Sequence, residues 1–147
     1  MPNWCLNCLR VSGPAKDVAR FQKQAVAVSP RQGTKPESVP EVFSMQSLVP
    51  IHAKPPTSEG DANGFGSPQE DWGCRSDACH SEQMETWDGG LLYRFATPWN
   101  PPVTFLQQVS ERWQTLVFVL DYEEPRMAFR GLARAARGAL QNFYIDL

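Results

Sequence analysis

The run from Leu116 to Tyr122 constrains this chain more than any other stretch. Leu116, Phe118, Leu120 and Tyr122 fall on one face of an extended backbone, and Val117 and Val119 on the other. A period of two is the signature of a strand, so the chain must build a sheet. Trp4 to Val11 is a second such run, apolar on both faces, which marks a central, well-covered strand. Leu91 to Thr97 alternates in the same way, with Tyr93 and Phe95 on one side and Leu92 and Arg94 on the other.

Two helices punctuate these strands. Pro14 suits a first helical turn, where a missing N–H costs nothing. Val18, Phe21 and Ala25 follow on one face, with Lys16, Asp17, Arg20 and Lys23 largely opposite, which predicts a helix over 14–26. Asn100 can cap a second helix, Pro101 can open it, and Leu106, Val109 and Trp113 set its apolar stripe over about 101–113.

The remaining segments are weaker. Val42 to Val49 is apolar enough for a short strand that Pro50 ends. Residues 29–40 hold three prolines and a glycine without periodicity, which reads as a linker. Residues 52–90 read as a long irregular insertion, rich in Pro and Gly and pinned by Phe65, Trp72 and Trp87. Glu123-Glu124-Pro125 ends the strongest strand, and Met127 to Gly131 reads as its partner across a turn. Residues 132–141 favour a helix by propensity, but Gly138 equally suits a hairpin turn leading to Phe143-Tyr144-Ile145.

The order is βαββαβ with an extra strand or hairpin. Two helices on one face of a mostly antiparallel sheet bury both amphipathic stripes, which predicts an α+β, ferredoxin-like domain spanning 1–147. Hydrophobic residues make up 41% of the chain, so its thirteen aromatic Trp and Phe side chains must carry much of the core.

Charge is unevenly placed. Residues 1–54 carry a net +4, residues 55–90 a net −7 and residues 91–147 a net +1. The acidic stretch coincides with the irregular insertion and reads as a solvated loop or as a surface offered to a basic partner. No run of about 18 apolar residues points to a membrane span, and no signal peptide is visible. The four cysteines then read as reduced thiols in a cytosol.

Several short motifs resemble a known family. They are Met1-Pro2-Asn3-Trp4-Cys5 with Asn7, then Ser12-Gly13-Pro14, Asp71-Trp72-Gly73 with Asp77-Ala78, Thr97-Pro98-Trp99-Asn100-Pro101-Pro102, and Tyr122-Glu123-Glu124 with Phe129 and Gly131. Their order resembles the YubB-like family of phage and plasmid proteins with a ferredoxin-like domain. The resemblance implies a mobile-element origin and a bacterial cytoplasm. It implies no reaction. On that basis the candidate binding residues are Trp72, Gly73, Asp77, Trp99, Asn100, Tyr122, Glu123 and Glu124. Trp72, Trp99 and Tyr122 either close the core around the insertion or line an aromatic cleft that anchors a partner.

Metal and catalytic readings are thin. Cys74, Cys79 and His80, with Cys5-x-x-Cys8, supply enough ligands for tetrahedral zinc, but residues three apart on a strand face opposite ways. Neither His52 nor His80 completes a catalytic arrangement, and no P-loop or dinucleotide fingerprint is present. No cofactor is expected. Arg126, Arg130, Arg134 and Arg137 offer a basic edge for single-stranded nucleic acid, yet the strand 116–120 lacks the basic residue and glycines of an RNA-binding sheet. The leading expectation is an accessory protein that binds a host protein and inhibits a host defence such as CRISPR or a nuclease. The alternatives are a nucleic-acid module and a small-molecule enzyme.

Overall fold

The structure is a computed structural model that describes residues 2–27, 41–51 and 68–147. Strand β1 (Trp4–Ser12) alternates as its sequence requires, with Cys5, Asn7, Leu9 and Val11 buried. It lies in the middle of the sheet, antiparallel to β3 (Gly90–Pro98) on one side and to β4 (Val117–Glu124) on the other. Helix α1 (Ala15–Gln24) leaves β1 after Pro14 and buries Val18 and Phe21. Helix α4 (Val103–Arg112) buries Phe105, Leu106, Val109 and Ser110 on the same core. Both predicted helices are therefore present, each a turn or less shorter than its periodic stripe.

The second strand is not where the sequence pointed. Val42 to Val49 forms no strand. It contains a single helical turn, α2 (Met45–Leu48), capped by the Ser44 side chain, which accepts from the Ser47 N–H. Its apolar residues plug the core: Phe43 stacks on Phe95 with ring centroids 4.6 Å apart, and Met45, Leu48 and Val49 are buried. The second strand is β2 (Cys79–Trp87), inside the stretch expected to be irregular, preceded by the short helix α3 (Pro68–Trp72). The linker expected at 29–40 and the insertion's first part, 52–67, lie outside the described residues.

The end of the chain settles the ambiguity at 132–141 in favour of the hairpin. β5 (Phe129–Ala136) and β6 (Ala139–Asp146) pair across Arg137-Gly138, with φ of +53° and +81°. Positive φ at both central residues matches the twist of a two-residue hairpin. The inward side chains of β5 after Phe129 are small (Gly131, Ala133, Ala135), which brings α4 close to the strand.

The six-stranded sheet runs β2-β3-β1-β4-β5-β6, every neighbour antiparallel. The first four strands with α1 and α4 form the ferredoxin-like βαββαβ unit, and β5–β6 extends it. Among the described residues, no helix is long and apolar enough to cross a membrane.

Candidate functional site

The motif residues separate once folded. The Trp72 ring is buried, and its indole N–H donates to the Val49 carbonyl at 2.8 Å. Gly73 ends α3 with φ +85°, tight against Thr104. The Asp77 carboxylate accepts from the Ser44 hydroxyl (2.7 Å) and from the backbone N–H groups of Met45 (2.7 Å) and Gln46 (3.3 Å). Those bonds satisfy the exposed donors that open α2. Trp72 and Asp77 thus hold the 41–51 plug against the sheet.

Tyr122 is also a core residue. It lies over Gly131, and its hydroxyl donates to Asn142. The adjacent glutamates diverge, as neighbours on a strand must. Glu124 is buried, with one carboxylate oxygen accepting from the Met127 N–H across the β4–β5 turn and the other without a partner among the described residues. Glu123 faces the opposite side of the sheet, between Leu6 and Arg130. Trp99 and Asn100 line a shallow depression of about 730 Å³ with Pro68, Gln69 and Arg75. Trp99 adopts φ +66° there, held by its N–H donating to Asn3 and by the Thr97 hydroxyl donating to the Asn100 carbonyl. Of the eight candidate binding residues, Trp99 and Asn100 are the pair that line this depression together.

The four thiols and His80 do not gather into one ligand set. Cys5 points into the core and Cys8 to the other face of β1. Cys74 is buried and donates to the Ser76 carbonyl, while His80 packs edge-on against Trp4 with centroids 6.2 Å apart. Among the described residues, no group of three His, Cys, Asp or Glu is placed to hold a metal ion. Burial pushes the Cys5 and Cys74 thiols up to about 12, with the nearby carboxylates of Glu124 and Asp77 adding to it. Both stay as neutral thiols at neutral pH.

The larger surface is the sheet itself. The described helices pack on one face, and no described element packs on the other. That open face carries large apolar side chains from the middle of the sheet to its β6 edge: Leu6 (51% exposed), Leu132 (47%), Phe143 (63%) and Ile145 (55%). Leu132 and Phe143 sit opposite each other on β5 and β6, and Arg130 sits opposite Ile145. With Asp121 they line a depression of about 340 Å³. Towards β2, the Arg10 guanidinium lies over the Trp87 ring, 5.3 Å from its centroid.

Charges on this face alternate in sign. Glu82 lies opposite Arg94, Glu123 opposite Arg130, and Arg130 reaches Asp121 at 3.9 Å. The four arginines expected to form one basic edge are dispersed. Arg126 and Arg137 occupy the turns at opposite ends of β5, while Arg130 and Arg134 share the open face with the acids. The motif reading missed this surface. Its signal was in the sequence: Phe143, Tyr144 and Ile145 are consecutive apolar residues, and a strand places them on both faces.

Comparison with known proteins agrees with the fold. The family described as "Ferredoxin-like domain in Api92-like protein" matches residues 75–146. That stretch holds β2 to β6 and leaves out β1, which lies at the sheet's centre. The chain also resembles the crystal structure of a protein Api92 from Yersinia pseudotuberculosis, with a TM-score of 0.61 at 11% identity over 97% of this chain and 98% of that one. At that identity the likeness speaks for the fold alone. No curated protein sequence matches the chain.

Proposed function

We propose that this protein acts by binding another protein on the open face of its sheet. The observation that carries this reading is the exposure of Leu6, Leu132, Phe143 and Ile145 on one face. Large exposed apolar patches rimmed by polar residues mark interaction surfaces. Aromatic and arginine side chains, abundant here, anchor such contacts. The alternating charges favour a protein over a polyphosphate. Phosphate binding rewards arginines clear of acids, and here Arg130 and Arg94 each face a glutamate.

The motif resemblance to phage and plasmid proteins supports the finer part of the proposal. The chain serves a mobile element in a bacterial cytoplasm, and the bound partner is a host protein, with inhibition of a defence nuclease or CRISPR complex as the outcome. The test compares tagged protein with a Leu6→Ser/Leu132→Ser variant as bait in host lysate, alongside survival of phage in a host with an active defence. The expected result is a specific host protein retained by the unaltered chain and lost by the variant, with phage survival raised only by the former. Equal capture by both would remove the open face from the function.

A further inference from the structure

The two edges of the sheet differ in kind. At the β2 edge, the pairing with β3 shifts register between Cys79 and Glu82 and again between Gln83 and Glu85, and Glu82 and Glu85 are exposed. Bulges and charges of this sort stop an edge from pairing with another strand. The β6 edge has no register shift, and its one charge, Asp146, stands at its very end. It pairs with β5 without a shift from Phe129–Asp146 to Ala136–Ala139. Ala139 to Ile145 contains no charge, no proline and no glycine.

The phase of its hydrogen bonds follows from the two-residue turn. Ala136 and Ala139 form the hydrogen-bonded pair that closes the hairpin, so Gln141, Phe143 and Ile145 also bond towards β5. The Leu147 N–H donating to Ala128 at 2.7 Å continues that phase. The backbone N–H and C=O groups of Leu140, Asn142 and Tyr144 therefore point away from β5. Among the described residues, no strand takes them up.

We propose that this edge pairs antiparallel with the same edge of a second copy, joining two six-stranded sheets into one. An edge that alternates donors and acceptors is complementary to itself about a two-fold axis. Centred on Phe143, the pairing sets each Phe143 opposite its counterpart and lets Asn142 of one copy exchange bonds with Tyr144 of the other. Asp146 stands at one end of the strand and Arg137 at the other. In this register Asp146 of each copy lies opposite Leu140 of the other, three residues from that copy's Arg137, so unlike charges approach at both ends of the seam. Both open faces then lie on the same side of the joined sheet, and the exposed Phe143 and Ile145 side chains become central to it.

Sedimentation of the full chain tests this, with three variants. The unaltered protein is expected to run as a dimer that dissociates on dilution. Phe143→Lys places like charges opposite each other and is expected to weaken the dimer by roughly tenfold or more. Tyr144→Pro removes a donor from the free edge without removing a bond to β5, and should do the same, with circular dichroism showing the fold retained. Phe143→Cys, oxidised with diamide, should give a covalent dimer that the unaltered chain does not form, because facing residues of a non-hydrogen-bonded pair lie close together. A monomer at every concentration overturns the proposal. So does a dimer indifferent to both Phe143→Lys and Tyr144→Pro, an open-ended polymer, or a Phe143→Cys protein that fails to cross-link beyond the unaltered chain.

Discussion

The Tyr122 hydroxyl donates a 2.7 Å hydrogen bond to the Asn142 side-chain oxygen, reaching from β4 to β6 over the intervening β5. The ring crosses β5 at Gly131, the one residue there without a side chain to obstruct it. A Cβ at position 131 would collide with the phenol ring and its oxygen. Gly131→Ala is therefore expected to cost about 1–3 kcal/mol, as overpacking of a core does. Tyr122→Phe loses only the hydroxyl's bond and should cost about 1 kcal/mol. Urea unfolding midpoints measure both, and a Gly131→Ala protein as stable as the original would show that the ring has room to move.

Asp77 holds the start of α2 through three bonds. Asp77→Ala should destabilise the protein by about 1–2 kcal/mol, the usual cost of losing a helix cap. Hydrogen exchange should quicken at the Met45 and Gln46 amides, which donate to Asp77. Binding of a partner to the open face should survive at temperatures where the variant is folded. Unchanged exchange at those amides would contradict the arrangement.

Burial divides the four thiols into two classes. Cys8 and Cys79 are partly accessible, while Cys5 and Cys74 are fully buried. Iodoacetamide labelling followed by peptide mass spectrometry should modify the first pair in native protein and the second only after unfolding. Rapid native labelling of Cys74 would refute its place in the core.

The same burial makes stability depend on alkaline pH. The folded state raises the Cys5 and Cys74 thiols from 9.0 to about 12, and Tyr93 from 10.0 to about 12. A group whose folded value is raised stabilises the fold fully below its unfolded value, and that stability is lost as pH climbs towards the folded value. Each buried thiol should thus remove about 1.4 kcal/mol per pH unit between roughly pH 9 and 12. Thermal melts across that range should fall steeply in the original protein and less steeply in Cys74→Ala. Parallel curves would dissociate the effect from this thiol.

On the open face, the expectation is the reverse of a core substitution. Leu6→Ser and Leu132→Ser remove exposed side chains, so each should leave stability within about 0.5 kcal/mol. A loss of several kcal/mol in either would mean that something packs on this face in the folded chain.

The sequence made the frame of the fold legible where burial was one-sided or complete. β1, β3, β4, α1 and α4 each repeat apolar residues at their own period, because one or both faces are covered. β2 was hidden for the opposite reason. It is an edge strand with mostly exposed side chains, and two register shifts break its alternation. The 42–49 stretch misled because it is as apolar as a strand while being buried as a plug: Phe43, Met45, Leu48 and Val49 are core residues without ladder partners. β5 was ambiguous because its inward alanines are also good helix formers. The site was harder still. Trp72, Asp77 and Tyr122 looked like recognition residues and hold the core together, since a motif says which residues belong together and not which way they face.

The placement of β1 also governs the order in which this protein can be made. β1 leaves the ribosome before either of the strands it pairs with, yet it is an inner strand of the finished sheet, joined to its neighbours at Trp4–Pro98 and at Leu6–Glu123. Some 80 residues must be synthesised before either side of β1 finds its mate, and closing loops of that length slows folding. Until then the strand waits with both edges bare, and a nascent chain in that condition depends on being kept from its neighbours.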